Sequence, residues 1–135
     1  MAKYFTFKEL VHSDTAKAKG IENIPNWEQI WCLERLSMFL DSIREECGFS
    51  IKVNSAYRSE PLNKAVGGTG TSAHLKGLAA DILPYTPTTD RFNKLETVLR
   101  SRLKDADQII AYRKRHFFHV GISNGTPRGQ WLEKE

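Results

Sequence analysis

Cysteine is scarce in this 135-residue chain, which has two, Cys32 and Cys47. Both fall in one stretch of helical periodicity. At about 1.5 Å of rise per residue, their Cα atoms would stand roughly 22 Å apart, far beyond disulfide reach. A disulfide-stapled scaffold is therefore excluded, and both thiols are expected to be reduced. Long apolar runs are missing too. No stretch of about 18 apolar residues occurs, and the start, Met-Ala-Lys-Tyr-Phe-Thr-Phe-Lys-Glu, lacks the apolar segment of a signal peptide. The expectation is synthesis as a soluble cytosolic protein that does not span a membrane. Repeats, linkers and low-complexity tracts are absent as well. Charge is not one-sided: 20 Lys and Arg against 16 Asp and Glu leave +4, a weak attraction toward polyanions such as nucleic acid, acidic wall polymers or anionic lipid. With 40% hydrophobic and 27% charged residues the chain has a globular composition. It is too short to divide into two self-sufficient cores, so one domain over 1–135 is expected.

Turn and cap residues divide the chain. Phe5 to Lys19 reads as two short helical turns, capped by Thr6 and by Ser13 or Asp14, before the breakers Gly20 and Pro25. From Asn26 a helical pattern runs through Trp27, Ile30, Trp31, Leu33, Leu36, Phe39, Leu40 and Ile43 and stops at Gly48. Both tryptophans are expected to pack against a sheet. Ile51 to Ser55 reads as a strand delivering Tyr57 and Arg58, and Pro61 to Ala65 as a turn of helix. Gly67 to Ser72 is a flexible loop. It lacks the Gly-Lys-Ser/Thr ending and the context of a phosphate cradle. Leu78 to Leu83 reads as a strand carrying Asp81. Thr89 or Asp90 then caps a helix to about Lys104, and Gln108–Tyr112 with Phe117–Ile122 forms an antiparallel hairpin tipped by Arg113-Lys114-Arg115. That basic run reads most simply as a solvated tip.

The chain has four histidines, and three of them lie in or beside strand ends that also carry an acid. His74 precedes Asp81 by seven residues, with Gly77 between them to let the chain turn. His119 lies on the last strand of the hairpin. Two imidazoles and one carboxylate are a donor set for zinc that leaves a fourth position open for water, whereas a closed structural site takes four protein ligands. Zinc lowers the pKa of a water toward about 7, and a neighbouring base then takes the proton as a peptide carbonyl is attacked. His116 is the candidate base, although strict strand alternation sets residues 116 and 119 on opposite faces. Asp105 and Asp107 are fallback acids. Arg58 is a candidate cation for a substrate carboxylate or an oxyanion, and Ser72 a substrate hydrogen-bonding group. His12 is left without a role.

The runs Ser55-Ala56-Tyr57-Arg58-Ser59, Leu62-Asn63-Lys64-Ala65-Val66-Gly67-Gly68, Ser72-Ala73-His74-Leu75-Lys76-Gly77-Leu78-Ala79-Ala80-Asp81 and His119-Val120 together resemble the zinc D-Ala-D-Ala carboxypeptidase family of metallopeptidases, in the branch that includes bacteriophage endolysins. The start resembles that branch as well, through Phe5 to Leu10, Ser13, Gly20 to Asn23 and Pro25. The resemblance implies an α+β fold, a small antiparallel sheet backed by helices with a zinc cleft on the sheet. It implies His74, Asp81 and His119 as zinc ligands, Arg58 as a substrate or transition-state contact and Ser72 on the substrate side. Relatives commonly carry Glu or Asp three residues before the last histidine, where this chain has His116. The implied substrates are peptidoglycan peptides, cut at the terminal D-Ala-D-Ala bond or within the stem or cross-bridge. The protein would then act at the cell wall, as a monomer, after phage- or lysis-mediated release. A non-catalytic, zinc-containing binding module, as in hedgehog signalling proteins, is the alternative. Nucleic-acid binding through Arg100 to Arg115 ranks last, because aromatic and basic residues do not interleave there.

Overall fold

The computed structural model describes residues 3–135, so Met1 and Ala2, the first residues of the expected domain, lie outside the described residues. Helix α1 (Phe7–Val11) is opened by Thr6 in a reciprocal capping box with Glu9. Helix α2 (Asp14–Lys19) is opened by Ser13, not Asp14, and closed by Gly20 at φ 65°. The long helix α3 (Trp27–Cys47) starts on a second capping box, Asn26 with Gln29, and stops at Gly48. Its buried stripe is Leu33, Leu36, Leu40 and Ile43.

That stripe overturns the expectation for the tryptophans. At about 100° per residue, Trp27 lies roughly 180° and Trp31 roughly 140° around the helix from Leu36. Trp27 is accordingly 85% exposed and Trp31 60% exposed. Cys32 and Cys47 are free, as expected, and both are buried.

Strand β1 (Ile51–Ser55), helix α4 (Glu60–Ala65), strand β2 (Ala79–Pro84), helix α5 (Thr89–Ser101) and strands β3 (Gln108–Tyr112), β4 (Phe117–Gly121) and β5 (Gln130–Lys134) complete the chain. The sheet order is β1-β2-β4-β3-β5, antiparallel throughout except that β5 runs parallel to β3. The fold is thus α+β, with one parallel edge that the sequence pattern does not announce. Helix α5 is capped by Thr88, one residue earlier than expected, and ends at Ser101. A 3-10 turn over Leu103–Asp105 replaces its expected last turn.

Helices α3 and α5 cover one face of the sheet. The side chains on that face, Ala80, Ile82, Ile109, Ala111, Phe118 and Val120, are fully buried, and Phe92 of α5 stacks on Phe118 at 4.6 Å. Because strand side chains alternate, Asp81, Ile110, Phe117 and His119 face the other way, into an open cleft of about 770 Å³.

Candidate metal centre

Asp81 and His119 are direct cross-strand partners in the β2–β4 ladder. Opposed residues of antiparallel strands share a face with Cβ atoms about 5 Å apart, so the register alone aims a carboxylate and an imidazole at the same spot. His74 arrives from a 3-10 turn, Ala73–Lys76, where the sequence suggests only a loop. Ser72 caps that turn, its Oγ accepting the His74 N–H at 3.2 Å. Gly77 closes it at φ 74°. A side chain at Gly77 would not fit, since a Cβ there would stand 2.7 Å from the Gln29 carbonyl oxygen of α3. The glycine therefore sets both the reversal of the chain and its close seating on the helix, and Gln29 Nε2 donates to the Leu75 carbonyl at 2.9 Å across the same contact.

One nitrogen or oxygen from each of His74, Asp81 and His119 lies within 4.8 Å of the others. His74 Nε2 is 3.3 Å and His119 Nδ1 3.1 Å from Asp81 Oδ1. His74 is 2% exposed, and its Nδ1 lies 2.6 Å from the Ala56 carbonyl oxygen. A carbonyl only accepts, so Nδ1 carries the hydrogen, and in the neutral ring Nε2 presents a lone pair to a carboxylate oxygen. Such an arrangement is at rest only with a cation or a proton among the three donors. The carbonyl behind the ring is the support that metal-binding histidines regularly have. Burial pushes the Asp81 carboxyl up, but the two imidazoles outweigh it and hold the group well below the usual carboxylate range. The residues thus fit a divalent metal with three protein ligands and an open position, and the donor set suits zinc.

Arg58 and Ser72 line the same cleft. Arg58 is half-buried: its Nη2 lies 3.5 Å from Ser72 Oγ, its backbone N–H donates to the His74 carbonyl, and its buried Nε has no partner. Burial lowers the Arg58 pKa against the opposing pull of Asp81 and Tyr112. The guanidinium lines the cleft beside Ser72, where its charge can meet an anionic group of a ligand. The residue that sets this loop, Asn23, carries no motif of its own in the sequence. Asn23 donates to the Val11 and Tyr57 carbonyls and accepts from the Ser59 N–H, which pins the chain on both sides of Arg58.

His116 is not brought to the site. It ends the hairpin turn at φ 56°, is exposed, and meets Phe92 edge-on at 6.0 Å, toward the helical side of the sheet. The expected position beside His119 is corrected, and alternation is the reason: Phe117 and His119 face the cleft, while Phe118 and the ring of His116 meet Phe92. Of the fallback acids, Asp107 lines the cleft and Asp105 does not. Arg128 pairs with Asp107 at 2.9 Å and lowers its pKa.

A sheet-floored cleft with two imidazoles and a carboxylate converging at its centre can hold a divalent metal with an open position, as a metal-dependent hydrolase requires. The peptidase M15 family model matches residues 3–121, which includes every element from α1 to β4, and the chain belongs to that family. No curated protein matches the chain. Among the described residues no helix is long and apolar enough to cross a membrane.

Proposed function

We propose that the protein is a zinc-dependent peptidase of the endolysin-like branch that hydrolyses peptide bonds in bacterial peptidoglycan stem peptides or cross-bridges. The observation that carries this reading is the meeting of His74, Asp81 and His119 in an open cleft, with His74 held by the Ala56 carbonyl. Zinc bound there would supply a Lewis acid and an activated water. The chain's own groups do the rest. Arg58 faces the anionic charge that develops on the attacked carbonyl or a substrate carboxylate. The Ser72 oxygen already accepts from His74 N–H, which leaves its O–H free to donate to the substrate. Asp107 is the cleft carboxylate outside the triad and is assigned the proton. The cleft has five cations, Arg58, Lys76, Arg115, Arg128 and Lys134, against the two carboxylates Asp81 and Asp107, which suits carboxylate-rich wall peptides. Action at the wall would follow lysis- or phage-mediated release.

The ion pair that engages Asp107 favours a second reading, a zinc-containing binding module without turnover. One experiment separates the two. Purified sacculi and defined muropeptides are digested with zinc-loaded protein, and the products are weighed by mass spectrometry. Chelator-sensitive release supports the peptidase, and the masses name the bond cut. Zinc-dependent binding without any product supports the module.

A further inference from the structure

Strand β5 lies beyond residue 121, outside the family match, yet its Lys134 lines the cleft. Its rear side is locked. Glu133 pairs with Arg113, and the Arg100 guanidinium sits 4.0 Å over the Trp131 ring. The parallel register sets Lys134 opposite Tyr112, and both line the cleft. Tyr112 stacks on Phe117 at 4.5 Å, and the Arg115 guanidinium rests 5.4 and 5.2 Å from these two rings.

The neighbouring cations are neutralised: Arg113 by Glu96 and Glu133, Lys114 by Glu135, and Arg128 by Asp107. Among the described residues, Arg115, Lys134 and Lys76 border the cleft without a carboxylate partner, and of these Arg115 and Lys134 meet at Tyr112. Arg58, with its unpaired Nε, lines the cleft as well. Phe117 precedes His119 by two residues on the same face, about 7 Å along a strand. An extended peptide covers that span in about two residues.

We propose that Arg115 and Lys134 form an anion subsite that selects substrates bearing a carboxylate about two residues from the scissile bond. The proposal rests on the peptidase reading, and it places a specificity determinant on a strand the family match does not include. The fixed rings of Tyr112 and Phe117 hold Arg115 over apolar surface, so its charge faces the cleft at small entropic cost. A side-chain carboxylate and a free terminal carboxylate share the required chemistry.

The test uses zinc-loaded full-length protein and synthetic stem peptides in three forms: unmodified, amidated at the side-chain carboxylate, and amidated at the C-terminus. For the wild type, kcat/KM should fall about tenfold, ~1.4 kcal/mol, for whichever amide removes the recognised group. That arm names the source. In the Arg115→Gln, Lys134→Gln double variant the preference should shrink to less than about twofold, while an Arg113→Gln control keeps it. A wild type indifferent to both amides, or a double variant that retains the full preference, overturns the subsite. If the wild type cleaves no peptide, the peptidase reading fails separately. Binding of the same peptides, followed by fluorescence anisotropy, then decides the subsite: an acid-over-amide preference lost in the double variant supports it, and equal binding refutes it.

Discussion

Replacing Gly77 by alanine tests how closely the metal-bearing turn is tied to the core helix. Two costs combine there. At φ 74° an L side chain is in the left-handed region, about 1–2 kcal/mol uphill, partly offset by the ~0.4–1 kcal/mol that alanine takes from the unfolded chain's freedom. The new Cβ would also stand 2.7 Å from the Gln29 carbonyl oxygen and 3.1 Å from Leu33 Cγ, so turn and helix must separate. Such overpacking costs about 1–3 kcal/mol. Gly48 is the control, because it has φ 77° with nothing within 4 Å of a Cβ. Gly48→Ala should therefore cost roughly 1 kcal/mol and Gly77→Ala about 3, read from urea midpoints at constant slope. The Gly77 N–H also bonds the Ala73 and His74 carbonyls. Gly77→Ala should then weaken zinc binding by about tenfold or more, in the range seen when support behind a ligand is lost, while Gly48→Ala leaves it unchanged. Equal destabilisation by the two substitutions would refute the close approach as the reason for the glycine.

Other outcomes follow from the same geometry. His116→Ala should retain hydrolysis and zinc content, whereas Asp107→Asn should lower kcat on the same peptides; the reverse pattern would return the proton to His116. The Glu96 and Glu133 carboxyls are held low by Arg113, Glu133 at about 2. Carboxyls depressed in the folded state stabilise above their unfolded pKa of about 4.3, and that contribution fades as pH falls through the folded values. Arg113→Ala should thus cost about 1 kcal/mol at pH 7, after discounting for exposure, and almost nothing near pH 2, as measured by denaturation across that range. Burial pushes the Cys47 thiol up to about 11, so only about one molecule in a thousand is thiolate at pH 8. Ellman's reagent should label it slowly until the protein is unfolded, and prompt stoichiometric labelling would contradict its burial.

Much of this arrangement is legible from local chemistry. The capping boxes at Thr6 and Asn26, the alternation in β2 and β4 and the spacing from His74 to Asp81 each act over a few residues, and the structure places these elements where the pattern does. What escapes depends on distant partners. Trp27 and Trp31 fit an apolar helical pattern, but the stripe from Leu33 to Ile43 decides which side faces the sheet, and it turns them to solvent. Strand β5 carries only Trp131 and Leu132 as apolar residues, and it is held by its ladder to β3 and by Arg113 and Arg100 from elsewhere in the chain. The Ala56 carbonyl behind His74 and the three-way bonding of Asn23 are backbone contacts that composition does not encode. His116 follows strand alternation rather than the chemistry assigned to it, since a separation of three residues from His119 carries it away from the cleft.

Zinc stoichiometry is the most direct measurement of the central claim. Elemental analysis after dialysis against limiting zinc should give one equivalent in the wild type and in His116→Ala, and well below one in each of His74→Ala, Asp81→Asn and His119→Ala, with all variants folded by circular dichroism. A folded His119→Ala protein that still holds one equivalent would contradict the triad.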